Sequence, residues 1–279
     1  MRNKRLFAIL LAFAVIAGQA AADGLAALRE KGTIRIAVYS DFPPYSSEGR
    51  GVDVDLGRAL AAKLELTPEI VWFTADENMD DDLRNMVWKG HYLGGGTAQV
   101  MMHVPVDPVL MENNDKVRIF APYHREQLAI ARNKARIPNF VGMAGLEAFA
   151  REKVGVETAS LADDFLMGAL GGRLRENVVH FRSVPQAVDA LRRGTVAAVM
   201  ASRAELEGAL PGASDQIVVQ TFEPRGIAVS AWDLGVAVKA DEPELARAVE
   251  AAMQALRSDG TLEHIFREHG VTLVSPVAR

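Results

Sequence analysis

The sequence contains no cysteine, which excludes disulfide frameworks, thiolate zinc sites, iron–sulfur clusters and cysteine nucleophiles. Aromatic residues make up only 6% of its 279 positions. Beyond the first twenty residues no apolar run approaches the roughly 18 to 20 residues of a membrane helix. Short repeats and low-complexity linkers are also missing, so solenoids and flexibly tethered domains are excluded. Glycine (23) and proline (12) occur in ordinary numbers, which excludes collagen-like and disordered chains. With 49% apolar and 24% charged residues, the chain reads as a soluble globule of one large or two medium domains.

At the start, Arg2, Lys4 and Arg5 precede the apolar stretch Leu6–Ala17 and the small residues Ala20-Ala21-Ala22. That order predicts an export signal at residues 1–22, cleaved after Ala22, and hence a periplasmic protein. The 31 basic residues less those three leave 28 against 36 acidic ones, a formal charge of −8. An acidic chain is disfavoured as a partner of nucleic acid.

Thr33-Ile34-Arg35-Ile36-Ala37-Val38 reads as a strand, and the adjacent prolines of Asp41-Phe42-Pro43-Pro44-Tyr45 predict a stiff loop presenting Phe42 and Tyr45. Val52, Leu56, Leu60 and Leu64 recur every fourth residue, giving a helix with one apolar face. Strands follow at Glu69–Phe73 and Gln99–His103, with a helix at Asp81–Trp88 between them. The same grammar restarts past Pro122, with strands at Gln127–Ala131, Lys153–Val156, Val178–Phe181, Val196–Met200, Gly226–Val229 and Leu234–Val238. Helices are expected at Leu25–Arg29, Gly145–Glu152, Leu161–Leu170, Val184–Arg192 and Arg203–Leu210. Another carries Leu245, Val249, Met253 and Leu256, with Asp241 as its N-cap, and Gly270 closes the last. Strands alternating with helices indicate an α/β protein with mostly parallel sheets.

The ordered segments Asp41-Phe42-Pro43-Pro44-Tyr45, Gly51-Val52-Asp53-Val54-Asp55-Leu56, Phe120-Ala121-Pro122-Tyr123, Gly155 and Ser258-Asp259-Gly260-Thr261-Leu262 resemble the family 3 periplasmic solute-binding proteins over nearly all of the chain after the signal. The resemblance implies a type II periplasmic-binding-protein clamshell. Its two α/β lobes, residues 23–126 with 235–279 and residues 127–234, are joined by two crossover strands and hold a small polar or anionic ligand in the cleft. Amino-acid-binding members carry an arginine after the third strand, where Val106-Asp107-Pro108-Val109-Leu110-Met111 stands here. They also carry an acidic residue where Ala201 and Ser202 stand. Arg125 or Arg203 are the available substitutes. Burying an unpaired ammonium or carboxylate costs several kcal/mol, so weak binding of common amino acids is expected.

Asp82-Leu83-Arg84-Asn85, Val104-Pro105 and Pro122-Tyr123-His124-Arg125 are similar to the solute-binding-like accessory proteins of quinoprotein methanol and alcohol dehydrogenase systems. Gln99 replaces their usual aspartate, and residues 88–96 are inserted. This narrower resemblance implies a non-enzymatic role in periplasmic methanol oxidation, by cofactor capture or dehydrogenase maturation. A quinoprotein subunit would be the partner, and pyrroloquinoline quinone a candidate ligand rather than a required cofactor. The alternative is the substrate-binding component of an ABC importer for an amino acid or small organic acid, with a permease as partner. A dehydratase of the same fold would need an acid beside a cationic grip, and only Glu126 with Arg125 offers one.

The candidate ligand-binding residues are Asp41, Tyr45, Arg84, Trp88, His103, Tyr123, Arg125 and Ser202. Trp72, Trp88, Tyr92 and Tyr123 with Arg84, Lys89, His91, His103, His124 and Arg125 would suit a planar anion by stacking and charge-assisted hydrogen bonds. The alternative places the tryptophans in the core and the cations in water. His91, His103, His124 and Asp107 match no metal-ligand spacing, and Gly94-Gly95-Gly96 lacks the lysine of a phosphate loop. Asp53 and Asp55 read as helix N-terminal acids that complement the macrodipole.

Overall fold

The computed structural model describes residues 24–212, 215–224 and 230–277. The expected export segment and the strand expected at Gly226–Val229 lie outside the described residues. Among the described residues no helix is long and apolar enough to cross a membrane. The chain forms two compact units, one running to Tyr123 and resuming over Leu234–Ile265, the other made of His124–Asp233 and the residues from Phe266 onward.

In the first unit a helix over residues 24–31 (α1) leads into β1 (Thr33–Tyr39). A short hairpin of β2 (Asp41–Phe42) and β3 (Ser46–Ser47) then precedes α2 (Val52–Lys63). β4 (Thr67–Phe73), α3 (Met79–Leu83), a π-helical turn (Arg84–Trp88), β5 (Val100–Pro105) and α4 (Pro108–Asn113) follow. β1 runs parallel to both β4 and β5, and β11 (Ala231–Lys239) runs antiparallel to β5. α8 (Pro243–Ser258) and the first residues of α9 (Thr261–Glu268) complete the unit. The four-residue apolar period of α2 buries Val52, Leu56 and Leu60, and a Cβ on Gly57 would come within 3.1 Å of Ile36, so the helix sits directly on β1. Each such aliphatic side chain contributes about 1.5 to 3 kcal/mol when fully buried. Arg35 clasps the loop before β5, donating to the carbonyls of Thr97 (2.6 Å) and Gly95 (2.7 Å) while its Nε bonds Glu69 (3.1 Å). At the tip of that loop Tyr92 and Leu93 are 87% and 78% exposed.

β6 (Val117–Asn133) and β11 each belong to both units, so the chain crosses within β6 and returns within β11. In the second unit β6 pairs antiparallel with β9 (Ala198–Ser202) and β10 (Ile217–Thr221). β7 (Val154–Glu157) is parallel to β8 (Val178–Phe181) and β9. Alternation in β6 and β9 sends Leu128, Ile130 and Met200 to one core layer and Ala129, Ala131 and Val199 to the other. α5 (Leu161–Gly168) covers the first layer through Phe165 and Leu166, and α6 (Val184–Arg192) covers the second through Val188 and Leu191. α7 (Arg203–Ala209) follows β9 directly.

Several expectations change. The stiff loop expected at Asp41–Tyr45 is the first strand and turn of a short β-hairpin, and Tyr45 is buried rather than presented. Gly145–Glu152 is a 3₁₀ segment spanning Gly142–Ala150, where Gly145 lies so close to the Phe140 ring that a Cβ would meet it at 2.8 Å. Glu242, not Asp241, is the N-cap of α8, because Pro243 occupies the first helical turn. α4, β10 and the first half of β6 were not anticipated. The sequence division carried the first lobe to residue 279, whereas the chain from Phe266 groups with the second unit. The Phe266 ring lies 4.7 Å from His124, Arg125 N–H donates to the Val274 carbonyl at 2.9 Å, and Thr272 N–H donates to Glu207 at 2.7 Å.

Gly51 joins the hairpin to α2 with φ +133°, and a Cβ there would lie 2.2 Å from the Tyr45 carbonyl oxygen. Gly51→Ala is therefore expected to lower stability by about 2 to 4 kcal/mol, through a disallowed backbone and a clash that neither side can relieve. A urea titration reads this as a lower midpoint at unchanged slope. An unmoved midpoint would contradict the close approach.

Candidate functional site

The close approach at Gly51 fixes the start of α2 against the hairpin, with Val52 N–H donating to Pro44 O (3.1 Å) and Asp53 N–H to Tyr45 O (2.9 Å). The Asp53 side chain points inward and is sealed from solvent. Its Oδ1 accepts the Tyr123 hydroxyl at 2.6 Å, and its Oδ2 lies 2.9 Å from His103 Nδ1. The backbone N–H of His103 in turn donates to the Tyr123 hydroxyl. His103 is thus held at both its backbone and its ring, in a strand but with a left-handed φ of +63°. Histidine is among the few side chains enriched in that region. Burial, and next to it the Asp53 carboxylate, pushes the Tyr123 hydroxyl well above the ordinary tyrosine range, so it stays protonated as a donor.

Three rings surround the imidazole. Tyr45 lies 4.2 Å away and Phe42 4.8 Å, both near edge-on, with Tyr39 at 6.3 Å. Tyr39 donates to Asp82 Oδ2 (2.8 Å), whose other oxygen accepts Asp76 N–H (2.8 Å), while Asn85 Nδ2 donates to Asp76 (2.6 Å). Burial raises the Asp82 carboxyl above its ordinary range, and burial followed by Asp82 raises the Tyr39 hydroxyl. The π turn brings Asn85 inward, since Lys89 N–H reaches the Arg84 carbonyl five residues back.

Of the candidates in the first unit, Tyr45, His103 and Tyr123 therefore meet around Asp53. The other three serve other contacts. Asp41 is exposed and accepts the Ser47 hydroxyl at 3.4 Å, Arg84 pairs with Asp81, and Trp88 packs on the core cluster containing Phe73, Leu83 and Val87. Asp55 pairs with Arg58 at 2.9 Å. Asp53, read from sequence only as a helix-start acid, is the residue that sequence reasoning missed.

In the second unit, Arg125 Nη1 lies 2.8 Å from Asp233, whose side chain is 2% exposed. Ser202 is the N-cap of α7, its hydroxyl accepting from Glu205 N–H while Glu205 returns a bond to Ser202 N–H. Glu126 Oε1 accepts Gln127 N–H (2.9 Å) and Ala204 N–H (3.4 Å), and Arg203 pairs with Glu207 at 2.6 Å. The three histidines of the metal reading are separated. His91 stacks on Tyr92, His103 bonds Asp53, and His124 lies on Phe266. Among the described residues no group of three or more histidines or carboxylates is placed to hold a metal. Burial, reinforced by Glu157 and Glu126, raises the Glu205 carboxyl to about 7, against the lowering effect of its bonds to Ser202.

The chain has the type II periplasmic-binding-protein fold. It is similar in structure to an ancestral cationic amino acid solute-binding protein, AncCDT-1, with a TM-score of 0.70 at 20% identity over 88% of this chain and 99% of that one. An amino acid ABC transporter substrate-binding protein of Streptococcus pneumoniae bound to L-arginine gives 0.60 at 16% identity, over 90% and 99% of the two chains. An ABC uptake transporter substrate-binding protein of the same organism, with bound histidine, gives 0.60 at 15% over 91% and 99%. No protein-family model and no curated protein matches the chain.

Tyr123→Phe should remove one of the two donors to Asp53 and cost about 1 to 3 kcal/mol, the penalty of an under-satisfied buried carboxylate; chemical denaturation measures it, and a neutral result would mean Asp53 has other partners. For Glu205, the folded chain retains a proton between the ordinary value of 4.5 and about 7 that the unfolded chain releases. Stability therefore falls as pH rises through that window. Glu205→Gln, which preserves the capping box, should exceed the parent by about 1 to 3 kcal/mol at pH 8 and match it at pH 5. Parallel pH profiles for the two proteins would remove Glu205 as the cause.

Proposed function

We propose that this protein is a periplasmic solute-binding protein that delivers a small amino acid or organic acid to the permease of an ABC importer. The observation that carries the reading is the Asp53–Tyr123–His103 arrangement, a buried carboxylate holding a histidine ring in a fixed pose, within a fold whose neighbours bind arginine and histidine. The quinoprotein accessory reading rests on sequence segments whose cations were to grip a planar polyanion. Arg84 is neutralised by Asp81 and Arg125 by Asp233, so those positions offer a polyanion little net charge. Glu126, the acid of the dehydratase reading, is occupied by backbone N–H groups. Solute binding is the reading these contacts favour.

A thermal-shift panel of the twenty amino acids, small organic acids and pyrroloquinoline quinone tests it. A ligand present at one hundred times its Kd stabilises by about 2.7 kcal/mol, so at least one small solute should raise Tm by several degrees while the quinone leaves it unchanged. A shift with the quinone alone would restore the accessory role. Arg125→Ala is expected to lower stability by about 3 kcal/mol, because it strands buried Asp233 without a cation. Loss of solute binding with unchanged stability would instead make Arg125 a ligand contact.

A further inference from the structure

The ring of His103 has two nitrogens, and the structure distinguishes them. Nδ1 faces Asp53 Oδ2, and because Asp53 is an acceptor on both oxygens, Nδ1 carries the proton. In the neutral imidazole Nε2 is then the bare acceptor. Among the described residues Nε2 has no hydrogen-bond partner, and only Thr33 Oγ1 and Ser46 Oγ are both unpaired and sealed from solvent, so Nε2 retains contact with solvent although the His103 side chain is only 10% exposed. One polar atom is thus left unpaired among rings, its orientation fixed from behind by Asp53 and its backbone fixed by Tyr123.

Among the described residues, the charged groups that these contacts bring to that atom are negative. Asp53 lies directly behind the ring, and Asp82 with Asp76 lies behind Tyr39. Arg84 is engaged by Asp81. An anion at Nε2 would face a carboxylate one ring away, and a protonated His103 is already neutralised by Asp53. A nitrogen cation at Nε2 finds the lone pair, the field of Asp53, and the rings of Phe42 and Tyr39, which are partly exposed. We infer that Nε2 of His103 accepts a hydrogen bond from a protonated amine of the solute, so that the solute is amine-bearing rather than a purely carboxylic acid. This rests on the solute-binding reading above and narrows it.

Calorimetry on the full chain with L-arginine, L-histidine and putrescine against succinate and glutarate, at pH 8, provides the test. His103→Asn serves as the variant, since asparagine tolerates the left-handed backbone at position 103; its melting curve confirms folding. At least one amine should bind at pH 8 with a Kd below about 100 μM, which is roughly 5 to 6 kcal/mol of binding free energy. That affinity should fall at least tenfold in His103→Asn. Amine binding indifferent to the substitution overturns the inference. Binding of succinate or glutarate with the amines silent overturns it too, while leaving solute binding intact. Silence from all five probes removes both readings.

Discussion

Asp53 places a carboxylate inside a knot of rings, and a carboxylate sealed from water is tolerable only when its oxygens are fully served. Two donors do this, Tyr123 on one oxygen and His103 on the other. The requirement propagates outward. Tyr123 must stay protonated, which burial secures, and His103 must turn its ring back toward α2, which a left-handed backbone permits. The hairpin must approach the helix start closely enough for Tyr45 to receive the Asp53 N–H, which only a glycine at position 51 allows. The glycine and the left-handed strand residue thus answer to a single electrostatic condition.

The second unit handles its carboxylates differently. Glu126 and Glu205 both sit at the start of α7 and both bond backbone N–H groups there, while Glu157 receives Val184 N–H at the start of α6. Glu205 is the one that burial, beside the carboxylates of Glu157 and Glu126, holds protonated into the neutral range, although its bonds to Ser202 pull the other way. Ser202 belongs to this arrangement as a cap. The hydroxyl that appeared available for a ligand in the sequence is committed to the helix that follows it.

Periodic features were legible from the sequence because period is a local property. The four-residue repeat beginning at Val52 and the β-branched run from Thr33 each found their element, and α6 matches its expected bounds at Val184–Arg192. Tyr45, His103 and Tyr123 were singled out as candidates, but their convergence on Asp53 was not foreseen. Asp53 is 50 residues from His103 and 70 from Tyr123, and nothing within four residues of it distinguishes a buried acceptor from a solvated helix-start acid. The cations show the same limit in reverse. Arg84 and Arg125 are the right residue types for gripping an anion, yet their partners Asp81 and Asp233 engage them, and the second pairing spans 108 residues.

The loop ahead of β5 departs from this economy. Arg35 holds both of its descending carbonyls at the base, so the residues beyond that clasp add nothing to the registry of β1 and β5. A loop closed at its neck can lengthen cheaply, since doubling it costs only about 0.6 kcal/mol. Tyr92 and Leu93 therefore stand where substitution or insertion is least costly to the sheet, and where change leaves the residues around Asp53 untouched.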